Sequence, residues 1–340
     1  MNLELSDEQA ALRDATARML DKTSSPGQVR GAEPGGFSPD VWDGLAAMGV
    51  PTMGVPSLGG AELADLAVVA RQAGEHLAPA PVVEAMVACR LLAAHGRAVD
   101  DATVRTIALR SAIDGRLRLI PGGAVAAEVV ALDGERLVVV TVGHRTGAEP
   151  PAITNLGSAP LADVDLRAAE TTVLVDGTAA REAFSCALDE WRALTAQWLV
   201  GLARAAFVLG VEYAKERRQF GVPIGSFQAV QHRLADLATA LDGAELLADK
   251  AVWALDRPTR EPGANPSLWP AMAFTMAGET AEAVASVALH LHGGYGFMEE
   301  YDIQLHFRRA KAARIVLADP RHELQGLADR LFGPVEAAVS

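Results

Sequence analysis

The sequence predicts a mainly α protein interrupted by a small β domain. Three observations predict it. Apolar residues recur at helical spacing through about residue 100. Between about 101 and 185, short runs rich in β-branched residues are separated by turn residues. From about 186 the helical spacing returns in longer runs. The reading gives an N-terminal helical domain at 1–100, a reduced middle β domain at 101–185 and a C-terminal four-helix bundle within 186–340. A chain of 340 residues is too long for one compact core and suits two or three domains.

Each element has a local reason. Ser6 followed by Gln9 makes a capping box ahead of the periodic run Ala11–Leu20. Ser38-Pro39 opens a second helix, because proline is tolerated in the first turn, and Gly49 can close it. Ala61–Ala73 and Val82–Ala94 repeat the pattern, with 54–60 and Ala78-Pro79-Ala80-Pro81 as breaks. Expected strands are Thr103–Leu109, Leu117–Ile120, Val129–Leu132, Arg136–Val142 and Thr171–Val175, read as antiparallel, with Asp133-Gly134 as a hairpin turn. Expected later helices are Ala193–Arg217, Phe227–Leu255, Leu268–His292 and Tyr301–Val316, the last stopped by Pro320.

Composition excludes several classes. Lys plus Arg is 30 and Asp plus Glu is 43, a net charge of −13, which repels phosphate backbones and argues against a nucleic-acid partner. Cys89 and Cys186 have no metal-type spacing, fit a reducing compartment, and predict no metal site. Met1–Glu8 lacks the apolar core of a signal peptide, and no apolar run is read as reaching the roughly 18 residues of a membrane span. The expectation is a cytoplasmic chain with no membrane partner.

Two segments carry chemistry. Glu216-Arg217-Arg218-Gln219-Phe220-Gly221 is followed by Pro223-Ile224-Gly225-Ser226-Phe227-Gln228. A guanidinium at a helix end suits a pyrophosphate, an aromatic face suits adenine or ribose, and glycines let backbone come close. About seventy residues on lies His290-Leu291-His292-Gly293-Gly294-Tyr295-Gly296-Phe297-Met298-Glu299-Glu300-Tyr301. Either segment alone is weak, since Arg217 can simply cap a helix and Gly-Gly can simply be a C-cap. His290 and His292 are each also readable as satisfied core histidines.

Together these segments resemble the two C-terminal signatures of the acyl-CoA dehydrogenase family. That resemblance, strong from about 200 to 316, implies the order helical domain, β domain, four-helix bundle. It implies that Arg217, Gln219, Phe220, Gln228, His290, Gly293 and Gly294 hold the ADP half of an FAD whose flavin ring lies in a neighbouring subunit. It also places the usual catalytic glutamate at Leu317, which cannot take a proton. Asp319 lies two residues late. The alternative register of some members falls near Trp191, which makes Glu190 a candidate base; Asp189-Glu190 reads otherwise as a charge pair at a helix N-terminus. The family's flavin-contacting loop of the β domain has no counterpart in Leu109–Gly115.

The absences resemble the smaller, base-lacking subunit of actinobacterial two-component dehydrogenases that act on steroid side-chain CoA thioesters. The resemblance implies a larger partner subunit carrying the base, a shared FAD, acyl-CoA desaturation by the complex, and an electron-transfer flavoprotein as acceptor. The competing readings are a self-sufficient homotetramer using Glu190, a flavin-dependent monooxygenase on the same fold, and a flavin-free scaffold or regulator.

Overall fold

Ser6 caps the first helix as its sequence requires. Its Oγ accepts the Gln9 N–H at 3.1 Å, and Gln9 Oε1 accepts the Ser6 N–H at 3.2 Å. In the computed structural model, which describes residues 3–142, 152–257 and 265–333, that helix is α1 (Asp7–Thr23). It is followed by α2 (Pro26–Ala32), α3 (Pro39–Ala47), α4 (Leu63–Glu75) and α5 (Val82–Ala94). Gly49 takes a left-handed φ of 71° just past α3, a conformation glycine reaches without a Cβ penalty. The sequence reading missed α2, although Ser25, Pro26 and Gln28 supply the same start signals.

The middle region holds β1 (Arg105–Ile107), β2 (Arg116–Ile120), β3 (Glu128–Asp133), β4 (Arg136–Thr141), β5 (Ala162–Asp165) and β6 (Glu170–Asp176). One sheet has the order β1-β3-β4-β6 and a second pairs β2 with β5. The expected hairpin joins β3 to β4, with Asp133 opposite Arg136 and Gly134 at φ 62°. The all-antiparallel expectation is corrected: β1 runs parallel to β3, because the chain leaves the first sheet for β2 and re-enters in the same direction. Strands β3 and β4 of the main sheet are buried on both faces, while β6 at its edge is largely exposed. Val130, Leu132, Leu137 and Val139 face the helices, while Val129, Ala131, Val138 and Val140 face the second sheet. Strands covered on both sides read as continuous apolar runs, which is why they were legible.

The third region opens with α6 (Gly177–Glu216), a 40-residue helix. It begins well before the expected Ala193, so Asp189 and Glu190 lie in its interior and the charge-pair reading at a helix N-terminus does not hold. A short hairpin, β7 (Arg218–Gln219) and β8 (Val222–Pro223), leads to α7 (Gln228–Asp256), α8 (Leu268–His292), α9 (Ile303–Ile315) and α10 (Pro320–Phe332). Pro320 does not merely stop α9. It opens α10 in the first turn, behind an Asp319 cap. α6 also contains an 18-residue window apolar enough to cross a membrane by composition, contrary to the sequence reading; 61% of that window is buried within the chain, as befits a core helix.

α6 packs against α4, α5, α7, α8 and α9. Its approach to α4 is backbone on backbone. A Cβ at Gly74 would lie 1.9 Å from Trp198 O, and one at Gly201 would lie 2.0 Å from Arg71 O. Because main chain cannot give way there, Gly201→Ala is expected to cost about 2–3 kcal/mol or more. Thermal melts followed by circular dichroism check this; an unchanged midpoint would show that the two helices can separate freely.

Candidate functional site

The last turn of α6 carries Tyr213, and the Arg217 N–H closes the helix on Tyr213 O at 2.9 Å. The chain then reverses through Phe220 (φ 53°) and Gly221 (φ 84°). Both central residues of this two-residue hairpin are left-handed, which glycine accepts and a bulky residue resists at a cost of roughly 1–2 kcal/mol. The strained turn holds Phe220 outward, 93% exposed, edge-on to Phe227 at 6.3 Å. Gly225 packs its backbone on α6, where an added Cβ would meet Ala214 O at 3.0 Å.

The second segment reaches the same end of the bundle. Tyr213 stacks on His292 at 3.9 Å, His292 meets Tyr301 edge-on at 6.0 Å, and Tyr301 stacks on Tyr295 at 5.6 Å. All three tyrosines of the chain lie in this cluster. His292 is buried and its Nδ1–H donates to Ala288 O at 2.7 Å, so it is a satisfied core histidine. His290 is exposed. Gly293 needs its glycine for a φ of 62°, and Gly296 for the Leu289 O that a Cβ would meet at 2.5 Å. Nothing of this chain lies within 4 Å of a Cβ built on Gly294, so the space there is open to an external group.

The structure therefore brings Arg217, Gln219, Phe220 and Gln228 to one exposed bundle end together with His290, Gly293 and Gly294. Among the described residues, neither Arg217 nor Arg218 has an acidic partner. Two guanidinium groups without acidic partners among the described residues, an outward aromatic face and unobstructed glycine backbone fit the ADP half of a flavin dinucleotide.

A cavity of about 410 Å³ lies elsewhere, where α5, α6, the β region and the end of α9 meet. Pro79, Glu84, Arg110, Trp191, Thr195 and Trp198 are among its lining residues, and the wall is mainly apolar. Glu84 is the one carboxylate among the described lining residues. Its Oε1 accepts the Trp191 indole N–H at 3.0 Å, and burial pushes its pKa above the ordinary 4.5. The sequence reading missed Glu84; its signal was an acid in an otherwise apolar stretch of α5.

The expected base positions are accounted for. Leu317 is 5% exposed and joins the hydrophobic core. Its carbonyl and that of Val316 accept Arg110 Nε and Nη2 at 2.8 and 2.9 Å, so the 109–115 segment caps the end of α9. Glu190 is held by both oxygens on Arg90, at 2.9 and 3.0 Å, while Arg90 also donates to Gly54 O at 2.7 Å. Its neighbour Asp189 is buried against Arg192 at 3.1 Å, and burial raises its pKa. Asp319 accepts the Arg321 N–H at 2.9 Å and pairs with its guanidinium, which holds its pKa down at about 2.

The fold defines a helix–sheet–helix protein with an exposed bundle end that brings the two signature segments together. The family described as "Acyl-CoA dehydrogenase, N-terminal domain" matches residues 6–100, and "Acyl-CoA dehydrogenase, C-terminal domain" matches 181–317. The acyl-CoA dehydrogenase IpdE2 of Mycolicibacterium smegmatis is 32% identical over 96% of this chain and 100% of the relative. IpdE2 of Mycobacterium tuberculosis is 31% identical over 96% and 98%. A variant of the Tcur3481-Tcur3483 steroid ACAD superposes with a TM-score of 0.83 at 25% identity, covering 96% of this chain and 98% of the other. The ChsE4-ChsE5 complex of Mycobacterium tuberculosis gives 0.82 at 22%, covering 97% and 99%, a likeness of fold. The chain belongs to the acyl-CoA dehydrogenase family, whose cofactor is FAD.

Because Glu84 is more easily protonated in the fold than in the unfolded chain, its stabilising effect is full below pH 4.5 and is lost as pH rises through its folded pKa. Glu84→Gln keeps the Trp191 bond and removes that loss. The variant is expected to melt higher than the parent above pH 4.5, by a margin that grows with pH until Glu84 is ionised. Parallel melting-temperature profiles for the two proteins would contradict the buried-carboxyl assignment.

Proposed function

We propose that this chain is the base-lacking subunit of a two-component, FAD-dependent acyl-CoA dehydrogenase, and that its bundle end completes an FAD site whose ring lies in a partner subunit. One observation carries this reading. Along α6, the cavity residue Thr195 and the cradle residue Arg217 are about 33 Å apart, at a rise of about 1.5 Å per residue. That separation supports a cradle that serves a flavin whose ring lies outside this chain's own cavity. Leu317 supports the same reading, since no proton acceptor stands at the family's usual position.

In this reading Arg217 and Arg218 hold the pyrophosphate, Phe220 packs on the adenosine, and Gln219, Gln228, His290 and the backbone at Gly293-Gly294 line the remainder. When bound, FAD supplies the two-electron acceptor for α,β-desaturation. The partner supplies the carboxylate that removes the α proton from the acyl-CoA. The two-protein Tcur3481-Tcur3483 steroid ACAD suggests a steroid side-chain thioester as substrate. By analogy with the family, electrons leave to an electron-transfer flavoprotein, and the site lies in the cytoplasm.

Native mass and FAD content test the assignment, with the chain purified alone and co-expressed with a larger acyl-CoA dehydrogenase subunit. The expected result is a colourless lone chain and a heterotetramer with one FAD per pair. A yellow homotetramer with one FAD per chain sinks the reading. Within the complex, Arg217→Ala is expected to weaken FAD binding by about 10- to 100-fold, the value of a charge-assisted contact of about 1.5–3 kcal/mol. Glu190→Gln should leave kcat unchanged, because its Arg90 pair keeps it off the chemistry; a loss of kcat with FAD content intact would restore Glu190 as a base.

A further inference from the structure

We infer that Arg30 is a positioning residue for the cradle. From α2 it fixes the turn at 298–302, and through that turn the Gly293-Gly294 backbone that meets the dinucleotide. The inference deepens the partner-subunit reading and rests on it, since it takes that backbone as part of an FAD site.

The turn needs an outside hold. Residues 298–302 lie between the short 3-10 turn at 293–297 and α9, in neither helix nor strand, so no regular ladder of main-chain bonds fixes them. Met298, Glu299 and Glu300 are exposed. Exposed main chain without regular pairing opens at low cost unless something ties it down.

Arg30 is that tie, from 269 positions upstream of Glu299. Its Nε–H donates to Glu299 O at 2.7 Å. Its Nη2 donates to Glu300 O at 3.1 Å and meets Asp302 Oδ1 at 2.5 Å. One planar guanidinium edge thus spans two consecutive carbonyls, a fixed fork that a lysine ammonium does not offer. Arg30 is itself held. Its neighbour Val29 is buried in the main core. Three residues beyond Arg30, Glu33 pairs with Arg308 and lies 3.3 Å from Arg309, both on α9. α2 is therefore pinned on either side of the guanidinium.

The hold passes from the turn to the glycines in short steps. The Tyr301 N–H donates to Met298 O at 3.1 Å, and the Met298 N–H donates to Tyr295 O at 3.0 Å. The carbonyls that Arg30 grips lie inside the first of these two linked turns. Tyr301, between Glu300 and Asp302, also stacks its ring on Tyr295 at 5.6 Å. Tyr295 directly follows Gly294. Glycine main chain has little stiffness of its own, so the conformation at 293–294 is set by what the next residues are tied to. That tie ends at Arg30.

Two readouts on the complex co-expressed with the larger subunit test the role. One is FAD affinity, from fluorescence titration of the flavin-stripped complex. The other is hydrogen–deuterium exchange of the 293–302 peptide without FAD, read by mass spectrometry. Arg30→Ala is expected to speed exchange in that peptide and to weaken FAD binding about 5- to 20-fold, the worth of a charge-assisted bond. Arg30→Lys, which can keep one carbonyl, should fall between the parent and Arg30→Ala, and carries the comparison if Arg30→Ala does not assemble. Asp302→Asn leaves both carbonyl bonds in place and should bind FAD within about 2-fold of the parent. Glu33→Gln should lower the melting temperature while leaving FAD affinity and 293–302 exchange unchanged, which separates positioning from general stabilisation. Unchanged FAD affinity or unchanged 293–302 exchange in Arg30→Ala overturns the inference, as does an equal loss of affinity in Glu33→Gln. A parent complex that takes no FAD sinks the shared-flavin reading instead, and exchange alone then decides whether Arg30 holds the turn.

Discussion

The close approach of α4 to α6 is the constraint on which the rest of the structure depends. At Gly74 and Gly201 the two main chains meet with no side chain between them. That contact fixes where α6 lies relative to the N-terminal helices, and α5, α7, α8 and α9 then pack on what remains of its surface. The sheet follows, since Val130, Leu132, Leu137 and Val139 belong to the same apolar core as Leu194 and Leu199 of α6. A continuous 40-residue helix is stiff, so features at different heights on it stay at fixed separation. The cavity wall at Thr195 and the exposed segment at Arg217 are two such features.

At the cradle, rigidity comes from aromatic packing and exposure from backbone strain. The run Tyr213, His292, Tyr301, Tyr295 ties the end of α6 to the end of α8, so two segments far apart in sequence hold one geometry. Beside it, Phe220 is kept in a left-handed turn with its ring outward. A folded chain rarely spends free energy to expose a phenylalanine, and such strain concentrates where a surface meets something else. Phe297 and Met298 are also exposed close by, beyond the glycines.

The acidic residues that sequence reasoning weighed as bases are committed to structure. Glu190 is held on Arg90, Asp189 on Arg192, and Asp319 on Arg321 and the start of α10. A guanidinium partner favours the ionised form, as at Asp319, whose pKa is held at about 2, whereas at Asp189 burial outweighs Arg192 and raises it. Glu84 differs in kind. Its partner is a neutral indole N–H, its surroundings are apolar, and it faces open volume.

Local chemistry made much of the fold legible. The Ser6 box, the Asp133-Gly134 turn, the bounds of α5 and α8 and the doubly buried strands are written in residues a few positions apart. The cradle was legible for the same reason, since its residues lie in two short segments. Other features needed the tertiary structure. The first turns of α6 carry Arg181, Asp189, Glu190 and Arg192, which hide the helical pattern until Glu135, Glu323 and Arg90 neutralise them. The parallel pairing of β1 with β3 depends on a strand exchange between sheets. The sequence by itself determined most of the element types and the two segments, 216–228 and 290–301, that the fold brings to one bundle end, because capping, turn and periodicity signals act over single turns. Only the tertiary structure decided that Glu190 is spent on Arg90 and that Glu84 meets Trp191 at the cavity wall, because those partners lie a hundred or more residues apart.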